Sequence, residues 1–257
     1  MPSNLAQIAQ VEIRDRSSDP TCIQDNGICP GWVIDNFDRY VGPLLEHIVL
    51  VVVSVAIGFL IAFAMAAVSH RKRWLVPAFT GFTGVLYTIP SLAFFFLLLP
   101  ITGFGADTAI IALTAFNLQI IYRNIVTGLA NVPGSSLDAG RGMGMTQRQL
   151  FWKVEIPLAL PEIIAGLRIA TVSTIAIASL AVFAGGGGLG SEIVTGSNIT
   201  FKTGVLTAGT LVIAMALIFD AVLVVVQRKL SPWQRAGRGA KASRRRRLAS
   251  LARPSPT

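Results

Sequence analysis

The sequence predicts an all-helical integral membrane protein with about five spanning helices, its N-terminus outside and its C-terminus in the cytoplasm. Hydrophobic residues make up 53% of the 257 residues and charged residues only 14%. The apolar residues lie in blocks too long for the interior of a soluble domain. A helix needs roughly 20 apolar residues to cross a bilayer core about 30 Å thick. Five segments meet this requirement: 48–68, 75–99, 108–129, 163–184 and 204–226.

The five segments differ in how cleanly they are apolar. Segments 48–68 and 75–99 contain no charged residue, whereas the third meets Arg123 before its end. The fourth and fifth segments contain one charge each, Arg168 and Asp220. A charge inside a span is costly unless it has a partner or a wet cavity. We therefore expect a structural ion pair between Asp220 and an arginine, either Arg168 or Arg123, rather than a contact with substrate.

Charge in the loops predicts the orientation, because loops rich in Lys and Arg stay in the cytoplasm. Basic residues fill the first connection, 70–73, and recur between the third and fourth segments. The chain after Val226 holds ten Lys or Arg and no acid, while residues 1–46 hold seven acids against three bases. This divides the chain into an extracytoplasmic tail (1–46), a membrane domain (47–227) and a basic cytoplasmic tail (228–257). The net charge of +9 therefore indicates a disordered tail near anionic lipid rather than a nucleic-acid-binding protein.

The remaining polar residues indicate few other functions. Residues 1–43 contain no apolar core of a signal peptide, so the first span is expected to direct insertion. Cys22 and Cys29 fall in the predicted outer tail, where either a disulfide or two free thiols would fit. Neither metal ligation nor a cofactor is expected in this chain. His47 and His70 are the only histidines and have no metal or nucleophile spacing around them, which argues against an intramembrane enzyme.

The connection between the third and fourth segments has the chemistry of two short helices joined at a glycine. Serines at 135–136 are good N-caps for the first helix, and Gly144 offers the left-handed turn that would end it. Thr146 and Gln149 have the spacing of a capping box for the second helix. Pro157 is expected to stop that second helix.

The second helix of this connection carries a cluster of large apolar side chains. Leu150, Phe151 and Val154 share one face, and Trp152 is adjacent. An exposed cluster of this kind is typical of an anchor that enters a groove in a partner protein. The alternative is that Phe151 and Trp152 rest at the bilayer interface.

The same connection resembles the EAA loop of permeases in ATP-binding-cassette (ABC) importers. The family pattern is EAA, three residues, Gly, nine residues, then I-x-L-P. The matching residues here are Asp138, Ala139, Gly140, Gly144, Val154, Ile156 and Pro157. Two of them depart from the pattern, since Asp138 stands for Glu and Gly140 for the second Ala. The shorter carboxylate of Asp138 keeps the charge but changes its reach.

Further pieces resemble permeases for osmoprotectants such as glycine betaine, choline, carnitine or proline. These pieces are residues 87–93, 141–146, 157–161 and 185–190. The resemblance implies a type I importer permease in a bacterial plasma membrane. Its expected partners are a dimeric ATPase, a second permease that is identical or a paralogue, and an extracytoplasmic binding protein. The chain has no Walker-type phosphate loop, so ATP hydrolysis is expected in the ATPase. The alternative substrates are an amino acid or an oxyanion, and a different class altogether is a channel or scaffold without an ATPase.

Inside the membrane, the second segment offers the candidate translocation path. Pro90 removes a backbone hydrogen bond and is expected to kink the helix. Tyr87 and Phe94 lie three residues before and four after it, on one face if the helix continues. This face either lines the path or packs against other helices. The glycine run 185–188 is expected to permit a sharp re-entry or a close approach of backbone.

Overall fold

The computed structural model describes residues 27–232, and every regular element in that range is helical. In chain order the α-helices are α1 (Pro30–Asp35), α2 (Asp38–Arg71), α3 (Leu75–Thr88), α4 (Ser91–Thr102), α5 (Ala106–Ala130), α6 (Gly134–Gly142), α7 (Gln147–Leu150), α8 (Ile156–Ala178), α9 (Leu189–Asn198) and α10 (Lys202–Leu230). A π-helical turn, Phe151–Glu155, joins α7 to α8, and a 3₁₀ turn, Ala181–Ala184, follows α8. The predicted all-helical fold is confirmed for the described residues.

Within the described residues, four continuous helices are long and apolar enough to cross a membrane. The bent pair α3 and α4 passes the same test of length and composition when taken together, which fits either a broken span or a re-entrant loop. The helix α5 reproduces the predicted third segment, and α10 extends the fifth segment to Lys202–Leu230. The first span differs most, because α2 begins at Asp38, before the predicted 48. Residues 38–46, predicted as tail, are therefore the first turns of the α2 helix.

The predicted kink at Pro90 is a complete break. The helix α3 ends at Thr88, α4 begins at Ser91, and the two axes differ by 96°. Pro90 has φ −54° and ψ 129°, and a proline also disfavours the helical region for the residue before it. Because Tyr87 and Phe94 belong to different helices, the expectation that they share one helical face is wrong.

Pro157 does not stop its helix, contrary to expectation. The chain from Gln147 to Ala178 is one continuous span that contains the π-helical turn. Pro157 is the second residue of α8, directly after this turn. The wider π turn relieves the clash of the proline ring with the preceding carbonyl groups. The span also ends at Ala178 rather than at the predicted 184.

The chain divides into two compact units, of which the first holds the described residues 27–54, 89–113 and 174–216. Its core contains Trp32, Tyr40, Leu189, Phe201 and Ala208. The rings of Trp32 and Phe201 meet edge to face, with centroids 4.7 Å apart. Part of the predicted outer tail is thus packed in this unit. Cys29 is disulfide-bonded, and Cys22 lies outside the described residues.

The glycine run supports a close backbone approach in the first unit. Gly185, Gly187 and Gly188 all have φ between 70° and 79°, a region that side-chain-bearing residues rarely adopt. The Gly188 amide donates to Glu46 Oε2 (3.0 Å), and the Leu189 amide donates to Nδ1 of the buried His47 (3.2 Å). The expectation of a close approach at this run is therefore confirmed.

The second unit holds the described residues 55–88, 114–173 and 217–232. Its core includes Ala62, Ile121, Tyr122, Ile125 and Ala159. Polar side chains of α5 pack directly over glycines of neighbouring helices: a Cβ at Gly58 would overlap Asn117, and one at Gly166 would overlap Asn124. The absence of a side chain at these two glycines leaves room for the asparagine amides of α5 inside an apolar bundle.

The predicted intramembrane ion pair forms in this second unit. Arg168 Nε donates to Asp220 Oδ1 (2.8 Å), and Arg168 Nη2 donates to Oδ2 (2.9 Å). This two-point geometry satisfies both carboxylate oxygens. Arg168 rather than Arg123 is therefore the partner of Asp220.

Candidate functional site: the coupling segment

The segment 135–157, here called the coupling segment, lies wholly within the second unit. Its first helix, α6, begins at Gly134 after an extended Pro133, so the serines at 135–136 are inside the helix rather than at its N-cap. The C-terminal end follows the prediction. Gly144 has φ +77°, its amide donates to Arg141 O (2.9 Å), and the Met145 amide donates to Gly140 O (3.2 Å). These two bonds form a Schellman motif.

The second helix, α7, begins with the predicted capping box. The Gln149 amide donates to Thr146 Oγ1 (3.3 Å), and the Thr146 amide donates to Gln149 Oε1 (2.9 Å). Leu150, the last residue of α7, is 1% exposed and packs over Gly140. A Cβ at Gly140 would lie only 2.5 Å from Leu150 Cδ1. Glycine at 140, where the family pattern has its second Ala, is therefore consistent with the close packing of α6 on α7.

The π turn places Glu155 where the sequence offered no indication of a role. Its side chain is buried, and Glu155 Oε2 lies 2.7 Å from Nε2 of His70, the next-to-last residue of α2. The contact is a close approach without a hydrogen bond, since Oε2 accepts none. In the sequence, Glu155 is noticeable only as an acid among apolar residues, and this does not identify His70, which lies 85 residues earlier in the chain.

The Phe151 ring is half-buried and packs on its own chain, and its role as an anchor in a partner stays a prediction. Its ring lies 5.1 Å from the His70 ring and 5.3 Å from that of Trp152, and it packs against the core of the second unit. Trp152 contacts Phe63 at 5.9 Å and remains 51% exposed. Val154, Ile156 and Pro157 are half-buried in the continuation of this helix.

The coupling segment exposes side chains on α6 and at the glycine turn that follows it. Met143, beside the glycine turn, is 70% exposed, and Ala139 is also exposed. The Asp138 side chain is 75% exposed and has one ion-pair contact, with Arg141 at 3.2 Å. Met143 was not singled out from the sequence because a turn residue has no helical periodicity to reveal its direction. Asp138 and Met143 thus provide one charged and one apolar side chain that are exposed to a partner.

The candidates for a translocation path are divided between the two units, with Tyr87 in the second and Pro90 and Phe94 in the first, and their role stays a prediction. The Tyr87 ring packs on Phe116 with centroids 4.7 Å apart and stays 43% exposed. Phe94 is buried in the first unit. Pro90 is the N-cap of α4, and its carbonyl accepts a hydrogen bond from the Phe94 amide (2.9 Å). Among residues 27–232, no group of three or more His, Cys, Asp or Glu could hold a metal ion.

Comparison with known proteins gives concordant matches. Residues 54–232 match the family described as "Binding-protein-dependent transport system inner membrane component". The chain is 37% identical over 187 residues to the glycine betaine/carnitine/choline transport system permease protein OpuCB of Bacillus subtilis, covering 73% of this chain and 86% of that protein. It is 39% identical over 212 residues to the choline transport system permease protein OpuBD of the same organism, covering 82% and 90%. The osmoprotectant import permease protein OsmW of Salmonella typhimurium is 34% identical over 210 residues, covering 78% and 96%.

Solved structures share the fold at lower sequence identity. An inward-facing form of the MetNI methionine ABC transporter matches with a TM-score of 0.69 and 21% identity, covering 74% of this chain and 95% of that chain. An amino acid ABC transporter with histidines matches with a TM-score of 0.64 and 20% identity, covering 77% and 96%. These two matches concern the fold alone.

Proposed function

Because the chain belongs to the family of binding-protein-dependent transport system inner membrane components, we propose that it forms the path by which a compatible solute enters the cell. The solute is of the glycine betaine, choline, carnitine or proline type. One observation carries the proposal: 37–39% identity to choline and glycine betaine permeases over 73–82% of the chain. Both values are well above the identity to the methionine transporter, 21%.

A membrane component of this family works with an ATPase and a solute-binding protein, and its own role is transport rather than hydrolysis. We propose that the ATPase is a dimer of separate subunits and that the second permease is either this chain or a paralogue. The binding protein delivers the solute from outside. Uptake then requires that ATPase closure be transmitted to the membrane helices.

The coupling segment is the proposed point of transmission. The ATPase would contact its exposed face, at Asp138 and Met143. Three internal features support movement as one body: the Schellman motif, the capping box and the packing of Leu150 over Gly140. The helix from Gln147 to Ala178 is continuous, so a displacement of α7 reaches the membrane span without a loop between them. In this way ATP binding would drive the change from inward-open to outward-open.

Uptake measurements test the substrate class. A bacterial host without osmolyte uptake, supplied with this chain, its ATPase and its binding protein, should accumulate at least one labelled osmolyte among glycine betaine, choline, carnitine and proline. It should also gain growth at high salt with that osmolyte. A host with the ATPase subunit inactivated is the control and should accumulate none. Uptake of an amino acid unrelated to proline, or of an oxyanion, with all four osmolytes excluded, would overturn the proposal.

A further inference from the structure

An open cavity of about 860 Å³ lies in the second unit, where the end of α2 faces the start of α7. Its volume falls within the range of roughly 300–1,000 Å³ that is usual for small-molecule sites. The residues that line it come from two stretches, 67–72 and 146–152, and include Val68, Arg71, Lys72, Arg148 and Trp152. The proposed transport function does not use this cavity.

One side of the cavity is strongly basic. Arg71, Lys72 and Arg148 are exposed, and none of them makes an ion pair with another described residue. No acid lines the cavity, and Glu155, the acid close to it, is in contact with His70. Three uncompensated cations around one opening favour an anionic ligand, and arginine is well suited to phosphate oxygens.

The other side is apolar and continues the membrane-spanning surface. Val68 is 48% exposed and is the last residue of the uncharged stretch 48–68. Trp152, 51% exposed, stands opposite on the coupling segment. Tryptophan is enriched where apolar membrane meets headgroups. The cavity therefore joins a cationic side to an apolar side at the end of a span, as a phospholipid requires.

We propose that this cavity binds the headgroup of an anionic phospholipid, with its phosphate between Arg71 and Arg148 and its acyl chains along Val68 and Trp152. The basic C-terminal tail is not the occupant, because the chain after Val226 carries ten Lys or Arg and no acid. A docked ATPase is less suitable, since the apolar side is continuous with a spanning helix. The bound lipid would bridge α2 and the coupling segment, and the site does not depend on which solute is transported.

Lipid titration of the purified full-length chain tests this site by native mass spectrometry. The probes are dioctanoyl phosphatidylglycerol, dioctanoyl phosphatidylcholine and inorganic phosphate. The double variant Arg71→Gln/Arg148→Gln should bind phosphatidylglycerol about tenfold more weakly than the unaltered chain, because each basic residue near a membrane surface contributes appreciably to anionic-lipid binding. Its affinity for phosphatidylcholine should not change.

The matched control is Arg228→Gln/Lys229→Gln, which removes the same charge from the exposed end of α10, outside the cavity. It should retain phosphatidylglycerol binding within about twofold. Equal losses in the two double variants would mean that only net charge matters and would overturn the site. Competition by inorganic phosphate at the lipid's own concentration would also overturn it, in favour of a free-anion site. Loss of ATPase capture with lipid binding unchanged would assign the cavity to the ATPase instead.

Discussion

At the scale of single residues, two glycines allow the effect of backbone conformation to be distinguished from that of steric overlap. One is Gly142, the last residue of α6, and the other is Gly144, just after it. A side chain at Gly142 or at Gly144 would meet no heavy atom within 4 Å, and both positions are exposed. Only Gly144 has a positive φ, 77°. A difference between substitutions at the two positions therefore reports backbone conformation rather than steric overlap.

Gly144→Ala should loosen the Schellman motif, because a left-handed conformation costs an L-residue about 1–2 kcal/mol. The amides of Gly144 and Met145, which close the motif, lose protection when the turn opens. Hydrogen exchange should therefore be about fivefold faster for residues 140–150. Gly142→Ala, the control, should leave exchange unchanged or slow it, since alanine is favoured over glycine inside a helix. Equal exchange in the two variants would contradict the assigned cap.

Some features of single residues could be predicted from the sequence and others could not. The positive φ at Gly144 was predictable because a glycine after a capped helix is a local signal. The need for glycine at 140 was not, since it arises from contact with Leu150, ten residues later. Met143 was likewise missed, because the direction of a turn side chain depends on packing that spacing alone does not encode.

At the scale of elements, local chemistry predicted the boundaries whose signal lies within one helical turn, namely the Thr146 cap of α7 and the Gly144 cap of α6, and it missed others. The capping box of Thr146 and Gln149 is confirmed because both partners lie within one turn. The effects of the two prolines were mispredicted in opposite directions: Pro90 breaks its span by 96°, whereas Pro157 continues its helix. A preceding π turn accommodates Pro157, and π turns have no reliable sequence pattern.

The contact between His70 of α2 and Glu155 of the π turn should stabilise the junction of these elements. His70→Phe keeps a ring on Phe151 but removes the imidazole nitrogen that lies 2.7 Å from the buried Glu155 carboxylate, and leaving a buried polar group beside apolar atoms alone costs about 1–3 kcal/mol. We expect a lower thermal midpoint and weaker substrate-stimulated ATPase activity in the assembled transporter. The double variant His70→Phe/Glu155→Leu should recover most of the loss, because removing both partners leaves no unpaired polar group.

The control for this pair is Asp138→Asn, which breaks an exposed contact with Arg141. Such surface pairs contribute little to stability, so its thermal midpoint should stay close to that of the unaltered chain. If the double variant is as unstable as His70→Phe alone, the His70–Glu155 contact is not what joins the two elements.

At the scale of the whole chain, composition predicted a membrane protein with several apolar spanning helices, whereas sidedness rests on charge alone. The basic first connection, the basic coupling segment and the basic end of α10 all require the same side in a five-span chain. Family membership agrees with a membrane component but does not itself report orientation. Sidedness therefore remains a prediction.

Cysteine labelling tests the orientation in a chain whose own cysteines are replaced by serine. Ser197 and Ser135 are both exposed, so single cysteines there differ in side rather than in burial. An impermeant reagent should label Ser197→Cys in intact cells and Ser135→Cys only after the membrane is opened. Ser69 is unsuitable as a probe because it is fully buried. Labelling of Ser135→Cys in intact cells would reverse the topology.

The last prediction concerns the contact by which the chain joins its ATPase. Met143 is the most exposed apolar side chain of the coupling segment, and anchors of this kind contribute about 1–2 kcal/mol or more to an interface. Met143→Ala should therefore weaken ATPase capture about tenfold and reduce substrate-stimulated hydrolysis, while hydrogen exchange in residues 140–150 stays unchanged. Phe151→Ala, in contrast, should raise the rate of hydrogen exchange in residues 140–150, because its ring packs against the rings of His70 and Trp152 within the chain. The matched control is Ile199→Ala, an exposed apolar residue after α9 on the predicted outer side, which should leave ATPase capture unaltered. Full capture by Met143→Ala would mean that the ATPase contacts a different face of this chain.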